Sequence, residues 1–436
     1  MMKGKPAIRM LEGPSLPEDL LNRRWPRRGW LSPELLRYVN DIIVEVRRRG
    51  DEALIEFEER FDGVRLSADS LLVTRGEFEE AYEKVSGRLI QAIESSKSRI
   101  EAFQKEMLGR IKFKYEEDGL RIVSCASPIS RVGCYVPGGG AAYPSSVVMM
   151  AAPARVAGVE EIALCSPPKG GGEVDPSVLV AADICGVNEV YRLGGAQAVA
   201  ALAYGTSTVR PVEKIFGPGN RYVQAAKILV SRDVPIDFPA GPSEIAIIAD
   251  GSADPRLLAL DMISQAEHLD GVSVLLTTSR RVAERVAEEI GRRIGSSPDG
   301  RLISENLSRN GLILICRSLK DAVKAVNEFA PEHLEVMTED PWEVAAEVTS
   351  AGLILVGENT PVAVSDYCLG TVHVLPTGGS SRVYSGLSIL DFVKRFCIAE
   401  CSAEMLGELR EDVRALAESE GLLNHSLAVE RRLSDD

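Results

Sequence analysis

From residue 131 to about residue 356 the chain alternates short apolar runs with helical stretches, and glycine marks many of the turns between them. Runs at 132–136, 161–165, 189–193, 214–216 and 245–249 have strand length, with helical stretches between them at 146–158, 175–185, 195–204 and 220–231. This is how a parallel sheet covered on both faces reads, because parallel neighbours need a crossover connection. The block 131–244 is therefore predicted to be one α/β domain of Rossmann-like order. A second series follows, with strands near 272–277, 312–316 and 352–356 and helices at 281–294 and 319–329.

A chain of 436 residues exceeds what one ordinary core serves, so at least two domains are expected. Residues 1–28 are polar and contain proline, and read as an arm. Ser32-Pro33-Glu34 then reads as an N-cap with proline at the first helical position, and Leu35, Leu36, Val39, Ile42, Ile43 and Val46 share one face up to Gly50. The pattern stays helical to about residue 107, with a break at Phe61-Asp62-Gly63 and a strand expected at 70–74. These helices need a sheet to cover. The simplest packing joins 29–130 to 245–385 in a first α/β domain and inserts 131–244 into it. The tail, 386–436, reads as helical with weakly organised apolar positions, so it is expected to dock on something else, a second subunit among the options.

The net charge of −14 argues against a protein that tracks nucleic acid, which needs clustered cations. No signal peptide or membrane span is legible, and the most apolar run, 147–159, is interrupted by Arg155. A cytoplasmic protein acting on small molecules fits best. Eight cysteines are present without any Cys-x-x-Cys pair, and Cys397 and Cys401, four apart, read as ordinary helix packing.

Candidate chemistry centres on the only four histidines: His268, His333, His373 and His425. Gln265 and His268, three apart after an apolar helical run, would share a helix face that could hold a cation. One histidine alone reads as a satisfied core or surface residue; four in distinctive strings do not. Gly138-Gly139-Gly140 and Gly217-Pro218-Gly219-Asn220 are strand-to-helix turns where backbone amides could meet phosphate, although neither spells G-x-G-x-x-G and a tight turn needs glycine anyway.

Taken together, Arg60-Phe61-Asp62-Gly63, Tyr135-Val136-Pro137-Gly138-Gly139, Gly194-Gly195-Ala196-Gln197-Ala198, Gly217-Pro218-Gly219-Asn220 and Ala240-Gly241-Pro242-Ser243-Glu244 carry a resemblance. So do Gln265-Ala266-Glu267-His268, Pro331-Glu332-His333-Leu334-Glu335, Ser365-Asp366-Tyr367, His373-Val374-Leu375-Pro376-Thr377 and the tail His425. In that order the chain resembles the histidinol dehydrogenase family over nearly its whole length.

The resemblance implies an enzyme that oxidises L-histidinol to L-histidine with NAD and zinc, as a domain-swapped homodimer with shared active sites. It implies zinc ligands Gln265, His268, Asp366 and His425, the last from the partner's tail. Glu332 and His333 match the catalytic pair, with a near-neutral imidazole as general base and the carboxylate as water activator. Tyr135, Gln197 and Asn220 match NAD contacts. Ser243, His373 and Glu420 match substrate contacts, alongside His333 and the metal ligands. The sequence departs from the family at Leu269-Asp270, where Gly-Pro is usual, and at Val372, where asparagine is usual. Both departures put substrate identity in question and keep open a related zinc- and NAD-dependent dehydrogenase of another small amino alcohol or polyol. A non-redox zinc protein is the third reading, and a hydrolase of that kind lacks its H-E-x-x-H string.

Overall fold

The computed structural model describes residues 8–22, 31–138, 141–268, 270–295 and 300–434. Its strands in chain order are β1 (Arg9–Glu12), β2 (Phe113–Glu117), β3 (Leu120–Pro128), β4 (Arg131–Tyr135), β5 (Glu161–Ser166), β6 (Glu189–Arg192) and β7 (Lys214–Phe216). They continue with β8 (Glu244–Ala249), β9 (Val272–Thr277), β10 (Gly311–Ile315), β11 (His333–Met337), β12 (Leu353–Val356) and β13 (Val393–Cys401). Three sheets result: a parallel six-stranded sheet β1-β10-β9-β8-β11-β12, a parallel four-stranded sheet β6-β5-β4-β7, and an antiparallel β13-β3-β2.

The helical region before residue 110 packs differently from the expectation that 29–130 joins 245–385. Helix Pro33–Arg49, capped by the Ser32 hydroxyl, which accepts the Leu35 N–H at 3.2 Å, lies on helices Gly195–Tyr204 and Arg221–Val230. Helices Arg75–Lys84 and Gly87–Arg110 lie on Pro176–Ile184 and Pro144–Ala157, on the other face of the four-stranded sheet. The reason is legible in composition. The crossover helices of that sheet are alanine- and valine-rich all round, and a helix apolar on every side must be covered on its outer face as well. The early helices form that outer layer, with Val39, Ile42, Leu54 and Phe57 joining Val199 and Leu202 in one core.

Other differences are local. Part of the N-terminal arm, residues 9–12, is β1, paired in parallel with β10; residues 1–7 and 23–28 lie outside the described residues. The strand expected at 70–74 is reduced to a single bridge between Leu72 and Tyr191. Asp118 and Gly119, both at positive φ, turn β2 into β3, an Asp-Gly hairpin signal that periodicity alone passed over. The tail from 386 is not all helix: β13 pairs with β3 along its length, so Cys397 and Cys401 sit on a strand and are exposed. No described helix is long and apolar enough to cross a membrane.

In the four-stranded sheet the chain passes from β4 outward to β5 and β6, then returns to place β7 on the other side of β4. The loops leaving β4 and β7 therefore flank one crevice at the carboxyl ends of the strands. The loop after β7 is fixed from beneath. Lys227 and Asp237, each 1% exposed in their side chains, form an ion pair at 2.5 Å. Lys227 donates to the Gly217 carbonyl at 2.7 Å, and Asp237 accepts the Gly217 N–H at 2.8 Å. Gly217 itself has φ 121°, and a Cβ there would collide with the Tyr135 carbonyl. Removing one member of such a pair strands a buried charge. Lys227→Met is expected to lower stability by about 3–5 kcal/mol in urea unfolding, and adding Asp237→Asn to recover part of the loss; an unaltered midpoint in the single variant would contradict the clamp.

Candidate active site

β11 runs between β8 and β12, and its first residue is His333. Periodicity missed this strand because its alternate positions carry His333 and Glu335 instead of apolar side chains. Glu332, just before it, is held by its carboxyl Oε2, which accepts the Glu244 N–H at 2.8 Å. The His333 ring lies between two carboxyl groups, with Nδ1 3.7 Å from Glu332 Oε2 and Nε2 3.5 Å from Asp366 Oδ1. Both distances are too long for hydrogen bonds, and both ring nitrogens are buried without a partner. Burial pushes the His333 pKa down to about 3, with His373 and His268 adding repulsion, so the ring is neutral. This differs from the near-neutral titration expected from sequence. Burial pushes the Glu332 carboxyl well above the usual range, which makes its ionised form a stronger base.

Asp366 sits on the short helix Val362–Tyr367. Burial raises its pKa to about 7, and no cationic side chain offsets the shift. His373 Nδ1 lies 2.8 Å from the Asp366 carbonyl and is therefore its protonated nitrogen, while Nε2 lies 3.3 Å from the Ser146 hydroxyl. Gln265 is buried near the end of helix Pro255–Ala266, with its amide nitrogen unpartnered. His268 lies past the helix end, in a turn where its N–H still reaches the Gln265 carbonyl at 3.3 Å. Partial enclosure lowers the His268 pKa. Asn306, which sequence reasoning did not single out, donates to the Ala266 and His268 carbonyls at 2.9 and 2.8 Å and holds this turn. Ser243 is half-buried immediately before β8, one residue from the Glu244 amide that binds Glu332.

Of the two departures noted in sequence, Leu269 lies outside the described residues and Asp270 adopts φ 58°. Val372 is buried in the apolar cluster with Val374 and Leu387.

Tyr135, the last residue of β4, and Gln197, in the first turn of helix Gly195–Tyr204, are both buried and both bonded internally. The Tyr135 hydroxyl accepts the Gly195 N–H at 3.1 Å. Gln197 donates to Glu58 Oε1 at 2.9 Å, and the same oxygen accepts the Gly194 N–H at 2.9 Å. Asn220 is exposed and caps helix Arg221–Val230 through the Tyr222 and Val223 amides. Of the glycine turn after β4, Gly139 and Gly140 lie outside the described residues. Glu58 was missed because it reads as one acidic residue among several on a surface helix; only packing shows it buried.

Glu420, just past helix Ala403–Ser419, and His425, on the helix Leu423–Leu433 paired with it, are exposed, and the chain does not fold them onto its own site. Among the described residues no group of three or more histidine, cysteine, aspartate or glutamate side chains is poised to hold a metal. Of the residues matched to zinc ligands, Asp366 lies beside the His333 ring and His268 is near enough to repel it, while Gln265 shares the turn of His268.

A family model described as histidinol dehydrogenase matches residues 27–433. The chain is 46% identical over 403 residues to the histidinol dehydrogenase of Methanothermobacter thermautotrophicus, covering 92% of this chain and 94% of that one. It is 44% identical over 433 residues to the histidinol dehydrogenase of Methanopyrus kandleri, covering 98% and 100%. Among solved structures, the crystal structure of histidinol dehydrogenase from Elizabethkingia anophelis superposes with a TM-score of 0.93 at 32% identity, covering 99% of each chain.

The crevice carries its own pH signature. Burial pushes Glu58 up from 4.5 to about 8, against the pull of Gly194 and Gln197 and with Asp62 adding to the rise. Folding therefore takes up a proton between those values, so the stability it contributes is full below about 4.5 and is lost as pH rises through about 8. Glutamine keeps the acceptor for Gly194 and Gln197 without the proton. The stability advantage of Glu58→Gln over the parent in urea unfolding should grow from pH 5 to pH 8 and then level, reaching on the order of a few kcal/mol. A pH-independent difference would refute the burial assignment.

Proposed function

Since the chain belongs to the histidinol dehydrogenase family, we propose that it oxidises L-histidinol through L-histidinal to L-histidine, reducing two NAD, as a cytoplasmic enzyme of histidine biosynthesis. The observation that carries the chemistry is the neutral imidazole of His333, buried between the carboxyl groups of Glu332 and Asp366 with both nitrogens free. A neutral ring can take the proton of the alcohol as hydride leaves its carbon. The nearby Glu332 carboxylate, once ionised, stabilises the imidazolium that forms. The second oxidation starts from an aldehyde and needs water, and Glu332, with its basicity raised by burial, is placed to activate it.

Zinc fits the donors present. Gln265 offers the oxygen of a buried side-chain amide, Asp366 a buried carboxyl, and His268 an imidazole that burial biases toward the neutral form; oxygen and imidazole donors suit this metal. When bound, zinc would hold the substrate's imidazole and amino nitrogens and so orient the alcohol. Around it, Ser243, His373, His333 and Glu420 bind substrate, and His373 also carries the Asp366 carbonyl. Three donors from one chain leave the set incomplete, which supports His425 as the fourth, delivered by a second copy in a domain-swapped homodimer. The helices that carry Glu420 and His425 expose Leu416, Leu422, Leu423 and Leu427, as a segment seated on a partner would. NAD is read into the Rossmann-like four-stranded unit, with Asn220 at the crevice mouth and Tyr135 and Gln197 shaping its base from within. Val372 is packed in the core, so that departure gives no reason to prefer another alcohol.

Purified protein given L-histidinol and NAD should form two NADH per histidine. In Glu332→Gln the aldehyde step should slow by about a hundredfold or more while the alcohol step changes far less, and His333→Asn should impair both. Equal losses at the two steps in Glu332→Gln would remove the division of roles.

Sharing of the site has a separate test. His425→Ala and His333→Asn chains, each inactive alone, should regain up to about a quarter of wild-type activity when refolded together, because half the dimers are mixed and each holds one intact site. Mixed dimers without activity would place the tail in its own chain's site.

A further inference from the structure

Alternate residues of a strand share a face, so His333 and Glu335 of β11 point to the same side of the six-stranded sheet. Met337, next in that row, packs with Leu258 and Met262 of helix Pro255–Ala266, which identifies the side. Glu335 is 1% exposed. Its Oε1 accepts the Val362 N–H at 2.7 Å. Val362 opens the short helix that carries Asp366, and Pro361 before it offers no side-chain cap. A helix of this length has little stability of its own, and its first amides need an acceptor from elsewhere. The other end is tied by His373 to the Asp366 carbonyl and by the Ser96 hydroxyl to the Tyr367 carbonyl at 2.5 Å.

The second oxygen, Glu335 Oε2, meets no N–H or hydroxyl donor and is buried. The Glu335 side chain lies against the carboxyl of Asp261, one helical turn before Gln265. Two carboxyl groups side by side in an apolar interior must share a proton. Burial pushes Glu335 well above the carboxylate range and Asp261 to about 6, with the contact raising Glu335 and lowering Asp261. One proton held between the two carboxyl groups therefore joins Glu335 to Asp261.

We propose that Glu335 is a positioning residue of the catalytic centre: by accepting from Val362 and donating to Asp261 it sets the helix bearing Asp366 against the helix bearing Gln265. Neither Glu335 nor Asp261 touches the reacting groups in this account. The inference rests on the reading of Gln265 and Asp366 as metal ligands. A cap that merely stabilised a helix would need only an acceptor. This one needs an acceptor and a donor on the same side chain, which a glutamine reproduces and an alanine does not.

The test is zinc affinity measured by competition with a chromophoric chelator, with folding followed by circular dichroism and turnover measured alongside. Glu335→Ala should bind zinc at least about tenfold more weakly, and Glu335→Gln should stay within about threefold of the parent, in line with the usual effect of residues that orient ligands. Val362→Pro attacks the same bond from the donor side. Pro361 has φ −69° and ψ 158°, the region favoured before proline, and the first helical position tolerates proline. It should match Glu335→Ala, and it decides the matter if the alanine variant does not fold. Asp366→Ala tests the ligand reading by itself: retained zinc there overturns that reading whatever Glu335 does. With zinc lost in Asp366→Ala, parental affinity in Glu335→Ala or Val362→Pro overturns the positioning role. A Glu335→Gln as weak as the alanine variant overturns the accept-and-donate arrangement.

Discussion

Removal of ionisable groups from water without a counter-charge is the condition on which this site is built. Glu332, Glu335 and Asp366 are carboxyl groups sunk around β11, and the ion-pair contacts found for Glu332 and Asp366 are to His333 alone. Charge in such surroundings is costly, so burial drives these carboxyls up in pKa and the His333 imidazole down. The same burial makes the site receptive to positive charge. A cation entering it would meet acceptors that have surrendered their water and not yet been compensated. The crevice loop solves the same problem in the opposite way, by burying Lys227 and Asp237 together so that neither lacks a partner.

The protein also separates grip from reaction by secondary structure. His333 opens a central strand flanked on both sides, with Glu332 immediately before it, which is among the least movable places in a sheet. Asp366, His268 and Gln265 come from the ends of helices and the turn after one, where backbone position depends on a few hydrogen bonds from Glu335, His373 and Asn306. The residues proposed to handle protons are thus held by the whole sheet, and the residues around them by named side chains.

Much of this was legible in the sequence, and the reasons for the misses are physical. The alternation of apolar runs and helices gave the two parallel sheets, because strands buried on both faces leave an unambiguous pattern. β11 did not read as a strand, since one of its faces is used for His333 and Glu335 and the expected apolar period is broken there. Packing of Pro33–Arg49 on the wrong sheet came from treating the early helices as the ones in need of cover, when the alanine-rich helices Pro144–Ala157 and Gly195–Tyr204 were. The residues matched to the family's site stood in legible strings. What no string could carry is that His333 is buried between two carboxyl groups, that Gln197 and Tyr135 are bonded inward, or that His268 falls beyond its helix.

The pairing of β1 with β10 has a kinetic consequence. Roughly 300 residues of chain separate Arg9 from its neighbour Leu312, and the whole four-stranded unit lies between them. Closing so long a loop comes late, after the intervening unit has its own core to stand on. Until then β10 presents an open edge, the kind of surface on which a stray strand from another molecule can add. The short N-terminal strand thus acts as a seal applied at the end of assembly, and a chain delayed at that step would be lost to aggregation before it was lost to unfolding.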